Sequence, residues 1–198
     1  MEIHIRDLYE QVHPQDHLGT IPGAGSTTAP VLLAAIGDVH RFHSAKGFRQ
    51  WTGVVPSSHQ STNTQMRGLG ITKAGPARVK RALYQAAQAA RRYDPQLATI
   101  YYRQMVEYGN THKQATGAVM SHLASRIYTI LKEDRPYELV DVDGSPVTMT
   151  ESRQIIKERY TVPQEIRSMR RHHNYGKQAT AWEERQRNRA NGAAKAPL

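Results

Sequence analysis

Between Pro76 and Leu131 the apolar residues recur at helical spacing in three successive runs, parted only by short polar breaks. Val79, Leu83, Ala86, Ala87 and Ala90 make the first stripe. Leu97, Ile100, Tyr101, Met105 and Tyr108 make the second, and Ala115, Val119, Leu123, Ile127 and Ile130 the third. A period near 3.6 puts each set on one face of a helix. Pro76 suits a first helical turn, where its missing N–H is not needed. Asp94 ahead of Pro95 is a natural N-cap, and Gly109–Asn110 stops the second helix. Each stripe must be buried against another element, so the expected fold class is mainly α.

The flanks are less regular. Ile5, Leu8 and Val12 mark the end of an amphipathic helix, too short to stand alone, and residues 1–14 read as a coiled-coil or linker helix. Thr20–Ser26 is a Pro/Gly turn, followed by a short apolar helix from Val31 to Ile36. A further short helix spans Ser44–Trp51 with Ser44 as its N-cap. From Gly53 to Gly75, Pro56, several glycines and a cluster of Ser, Thr, Asn and Gln predict loop or short strand. Residues 15–134 are thus expected to form the main domain. Residues 135–163 should add a small β-hairpin appendage, Tyr137–Val142 and Pro146–Met149 around a type I′ turn at Asp143–Gly144, and then a short helix. Pro146 weakens the second strand. Residues 164–198 are expected to be a basic, partly disordered tail.

The 198 residues carry 27 Lys and Arg against 17 Asp and Glu, a net charge of +10, which favours polyanionic partners. The distribution says more than the total. No acid lies between Asp38 and Asp94, a stretch that holds Arg41, Lys46, Arg49, Arg67, Lys73, Arg78, Lys80, Arg81, Arg91 and Arg92. An ordinary solvated face mixes signs, so this stretch resembles a phosphate-facing surface. There is no cysteine, which excludes disulfides and thiolate metal sites and fits a cytoplasmic protein. No apolar run approaches the length of a membrane span. The pairs His40/His43 and His172/His173 lack an evident third ligand, so no metal site is assigned.

Leu18-Gly19-Thr20-Ile21-Pro22-Gly23-Ala24-Gly25, ahead of a helix, resembles a helix-hairpin-helix element. In such elements glycines let backbone amides approach a phosphate while a helix N-terminus points at the same anion. Gly23, Gly25 and Ser26 are the candidate contacts. Further blocks follow in order: Leu32–Asp38, Arg41-Phe42, Gly53-Val54-Val55-Pro56, Gln60-Ser61, Arg67-Gly68-x-Gly70-Ile71-Thr72-Lys73-x-Gly75, and Arg81–Ala87. Together, over about seventy residues, they resemble the C-terminal domain of the IS110 (IS116/IS902) family of insertion-sequence transposases.

That resemblance implies a function for the polar loop. In the family a serine there attacks a DNA phosphodiester and holds the strand as a phosphoserine until it is rejoined; Ser61 occupies the matching position. A covalent phosphoester conserves bond energy, so strands can exchange without ATP. Ser57 and Ser58 compete for the role, and Thr62 replaces the glycine that usually follows the serine. Arg67, Lys73, Arg78, Lys80 and Arg81 are the candidate DNA-binding cations, and the first three could stabilise the transition state. Family members also have a ribonuclease-H-like domain whose four acids bind magnesium. No such pattern is visible here, so this chain is expected to be a truncated copy, inactive alone and without its own cofactor. The resemblance further implies DNA, a structured guide RNA, and either a homo-oligomer or a full-length transposase as partners. The alternative is a non-catalytic nucleic-acid-binding protein or regulator.

Overall fold

The computed structural model describes residues 2–55, 60–61, 64–65 and 74–170. Its helices are α1 (Glu2–Val12), α2 (Thr28–Ile36), α3 (Ala45–Thr52), α4 (Ala77–Ala90), α5 (Pro95–Val106), α6 (His112–Glu133) and α7 (Met149–Arg159). A 3-10 turn, Val39–Arg41, links α2 to α3, and a tiny antiparallel ladder of β1 (Gln60–Ser61) and β2 (Thr64–Gln65) follows α3. The mainly α expectation holds.

Helix α6 is the central post. Ala115, Val119, Met120, Leu123, Ala124, Ile127 and Ile130 are buried along it, and α3, α4 and α5 pack around it. Thr111 and Gln114 close a reciprocal capping box at its N-terminus, which satisfies two otherwise orphaned amides. Helix α4 lies between α6 and α2, and its small residues Ala82, Ala86, Ala87 and Ala90 let both neighbours approach. Ser44 caps α3 through the Gly47 amide, and Asp94 caps α5 through the Leu97 amide. Tyr108, placed by its spacing on the α5 stripe, instead lies beyond the helix end and is exposed.

The expected hairpin appendage reduces to one isolated bridge between Val140 and Pro146. Pro146 has no N–H to extend a ladder. The turn is not type I′ either. Gly144 has φ +88°, but Asp143 is not in the left-handed region; its carboxylate accepts from the backbone and hydroxyl of Ser145 instead. The tail expectation also needs correction at its start. Residues 164–170 are helical, with Val162 buried and Ile166 packed on the core. Residues 171–198, including His172 and His173, lie outside the described residues.

Candidate nucleic-acid interface

Leu18–Gly25, read from the sequence as a helix-hairpin element, lies in a run of successive tight turns ahead of α2: Gly19, Thr20 and Ile21 amides donate to the Asp16, His17 and Leu18 carbonyls, and Ala24 donates to Ile21. Leu18, Ile21 and Ala24 are buried beneath these turns. Gly23 has φ +94°, and a Cβ there would lie 2.6 Å from both the Ala86 carbonyl oxygen and the Ala89 side chain. Its lack of a side chain therefore serves close packing on α4. Gly25 faces open space and Ser26 is exposed at the same edge. The Thr28 and Ala29 amides both donate to Gly25, and Pro30 has no N–H. The start of α2 thus has fewer donors for an anion than most helix N-termini.

A second construction holds the polar loop. Gly53 ends α3 with φ +71°, and Gly75 precedes α4 with φ +87°. A Cβ on Gly53 would fall 1.9 Å from the Ala74 carbonyl oxygen, and one on Gly75 would meet the Trp51 oxygen at 2.6 Å and the Gly53 nitrogen at 2.8 Å. Two backbones cross here with no room for side chains, so the loop leaves and re-enters the domain at one point. Lys80 steadies that point by donating to the Ala74 carbonyl at 3.0 Å. Between these glycines the β1–β2 ladder pairs Gln60 with Gln65 and Ser61 with Thr64. Ser61 therefore lies in the backbone ladder, opposite Thr64. Ser57, Ser58, Thr62, Arg67 and Lys73 lie outside the described residues.

The base of the loop rests on an aromatic cluster. Phe42 and Phe48 meet edge to face with centroids 5.1 Å apart, and Trp51 leans on both. The Arg41 guanidinium sits 4.4 Å above Phe42 and 4.9 Å above Trp51 while its Nε donates to the Ile36 carbonyl. Arg41 is thus partly spent on structure, as is Lys80. Sequence spacing did not single out this cluster; the run Arg41-Phe42, Phe48, Trp51 was its only signal. Arg78 and Arg81 are exposed on the outer face of α4, where they are available to an anion. Arg91 and Arg92, at the far end of α4, turn toward α7 and leave this face. The acid-free stretch is therefore not one surface. His40 receives a hydrogen bond from Lys132 and does not pair with His43. Among the described residues no three His, Asp or Glu side chains converge on a metal position. None of them is long and apolar enough to build a membrane-crossing helix.

Residues 15–102 match the family model described as Transposase IS116/IS110/IS902 family. Over 126 residues, 64% of this chain and 39% of the relative, the sequence is 32% identical to the pilin gene-inverting protein of Moraxella bovis. It is also 32% identical over 139 residues, 70% of this chain and 34% of the relative, to an insertion element IS110 protein of Streptomyces coelicolor. A transposase for insertion sequence element IS1111A from Coxiella burnetii matches at 36% over 74 residues, 37% of this chain and 20% of its own length. The chain spans less than two fifths of the first two relatives. The family-model match runs from the glycine-rich turn through the serine loop into α5, and with these relatives it shows that the chain belongs to the IS116/IS110/IS902 family of transposases.

Proposed function

We propose that residues 15–134 are a DNA-binding, strand-joining domain of a recombinase, with Ser61 as the nucleophile. The observation that carries this is the position of Ser61 in a short antiparallel ladder, on a loop whose two ends are fixed at the Gly53–Gly75 crossing. A nucleophile must be held in orientation, and backbone pairing on a loop with anchored ends supplies that. The Ser61 oxygen attacks phosphorus, a P–O bond of the DNA breaks, and the released DNA hydroxyl takes up a proton while the serine loses one. The phosphoserine then transfers the strand to a new hydroxyl. Arg78 and Arg81, exposed on α4 at the foot of the loop, would hold backbone phosphates. The relative named as a pilin gene-inverting protein supports DNA rearrangement as the reaction class. No three of the described acids and histidines converge on a metal position, so none of them is assigned to magnesium.

The test is to trap a covalent adduct with end-labelled DNA, using the chain alone and together with a full-length family member. An adduct lost in Ser61→Ala but kept in Ser57→Ala and Ser58→Ala supports the proposal. An adduct that persists in Ser61→Ala overturns it. If no adduct forms under either condition while DNA is still bound, the domain is a binder without strand-joining chemistry.

A further inference from the structure

The ends of α4 and α7 meet the start of the 164–170 helical segment around a groove of about 350 Å³. Five cations line it: Arg91, Arg92, Arg153, Lys157 and Arg167. Among the described residues, no carboxylate does. None of the five belongs to an ion pair among the described residues. The two acids of α7 are used elsewhere. Glu151 closes a capping box with Thr148, and Glu158 accepts from Gln154. Concentrating five like charges around one concavity is unfavourable unless something anionic fills it.

The groove is also organised. The Arg91 guanidinium lies 4.2 Å above the Tyr101 ring and donates through Nε to Gln88 at 3.0 Å. Arg153 lies 4.7 Å above Tyr93, and the buried Ser152 hydroxyl donates to the Tyr93 carbonyl, tying α7 to the end of α4. Ala98, Ile156 and Val162 supply an apolar floor. Burial pulls the Arg91 pKa below its ordinary value, and Arg92 and Arg167 act in the same direction. Arg92, Arg153, Lys157 and Arg167 keep exposed side chains, so they are accessible to a strand lying along the groove.

We propose that this groove is a second nucleic-acid site that grips the phosphodiester backbone of a strand, separate from the Ser61 loop. It rests on the reading that the chain handles nucleic acid, but not on serine chemistry. The contacts assigned to the groove are to phosphate oxygens, which position a strand and carry no sequence information. The groove is assembled from residues far apart in the chain, Arg91–Arg92 on one side and Arg153, Lys157 and Arg167 on the other.

The experiment is fluorescence anisotropy of the full chain with a labelled DNA strand and its duplex, between about 50 and 200 mM salt. Arg153→Gln/Lys157→Gln is compared with Lys113→Gln/Lys132→Gln, two exposed lysines of α6 that remove the same charge outside the groove. The groove variant is expected to flatten the log–log salt slope by about 1.4, roughly 0.7 for each lost contact to a single strand. Its low-salt affinity should fall about tenfold, while the control keeps the wild-type slope. Equal slopes in wild type and groove variant, or equal losses in groove variant and control, overturn the groove. Failure of the wild-type chain to bind any DNA overturns the nucleic-acid reading itself, a distinguishable result.

Discussion

Asp94 and Arg91 lie three residues apart in sequence, and the charged clusters they belong to are handled in opposite ways. At Asp94 every charge is answered. The carboxylate, 2% exposed, caps α5 through the Leu97 amide and is ion-paired with Arg126, and the Tyr137 hydroxyl donates to it. Arg126 also donates to Gln96 at 2.6 Å, and the Tyr137 amide reaches the Thr20 hydroxyl at 2.8 Å, which joins the glycine hairpin to this network. Burial and the Asp94 charge hold the Tyr137 phenol protonated. At Arg91 and Arg92 the same helix junction contributes to a groove with five cations and, among the described residues, no carboxylate in its lining. The first arrangement specifies a fold; the second leaves electrostatic energy to be recovered from outside. Which region a charge belongs to should therefore decide whether its removal is felt in stability or in binding.

The largest effect is expected at the paired region. Asp94→Ala leaves Arg126 partly buried without its anion and removes the α5 cap, so unfolding free energy should fall by about 3–5 kcal/mol in urea titrations. Asp94→Asn should lose less, since an amide can still accept from Leu97 and Arg126. A loss in Asp94→Ala below about 1 kcal/mol would show that the network is ornamental to stability, and the contrast would collapse.

A middle case sharpens the comparison. Thr148→Ala breaks the capping box of α7 and should cost about 1 kcal/mol. Because α7 carries Arg153 and Lys157, the same variant should also weaken oligonucleotide binding without touching a cation. Normal binding would indicate that the groove does not depend on how α7 is held. Smaller still is the stability effect of Arg153→Gln/Lys157→Gln, within about 0.5 kcal/mol of wild type. Loss of the Arg153–Tyr93 contact is offset by relief of like-charge repulsion. A shift as large as that of Asp94→Ala would place these residues among the structural charges.

Local chemistry was legible in the sequence, and long-range packing was not. The Ser44 and Asp94 caps and the α4, α5 and α6 stripes rest on short-range rules, and apart from Tyr108 they occur at the expected residues. The ordered glycine and serine blocks identified the family. Gly23 was read as an approach point for phosphate; its packing role was hidden, because the Ala86 carbonyl that sits where its side chain would be is 63 residues distant. Gly53 and Gly75 were read as ordinary loop glycines, whereas they form one crossing. Nothing in the spacing of Arg153, Lys157 and Arg167 indicates that they meet Arg91. The Asp143–Gly144 turn failed for a different reason: the Asp143 side chain competes for local amides and stabilises a geometry other than type I′.

The subtlest expectation concerns His112, which borders the cationic region from inside. Gln88 Nε2 and the Tyr101 hydroxyl sit 2.9 and 2.8 Å from its two ring nitrogens, and the Gln88 carbonyl is engaged by Arg91. Burial first, then Arg91 and Arg167, lower the His112 pKa from its ordinary 6.5. The folded state therefore binds this proton less readily than the unfolded chain, and stability is full above about pH 6.5. It declines as pH falls from there toward the folded pKa and then levels off. Protonation would also set an Nε2–H against the Gln88 amide, which cannot turn without releasing Arg91. His13 and His122 are lowered by burial too and slope the same way, so the decisive quantity is the difference between wild type and His112→Gln. The variant should show a flatter urea midpoint between about pH 5 and 7. Phosphates in the groove would offset Arg91 and Arg167, so saturating oligonucleotide should raise the His112 pKa seen by NMR; an unchanged value would mean the bound strand lies elsewhere.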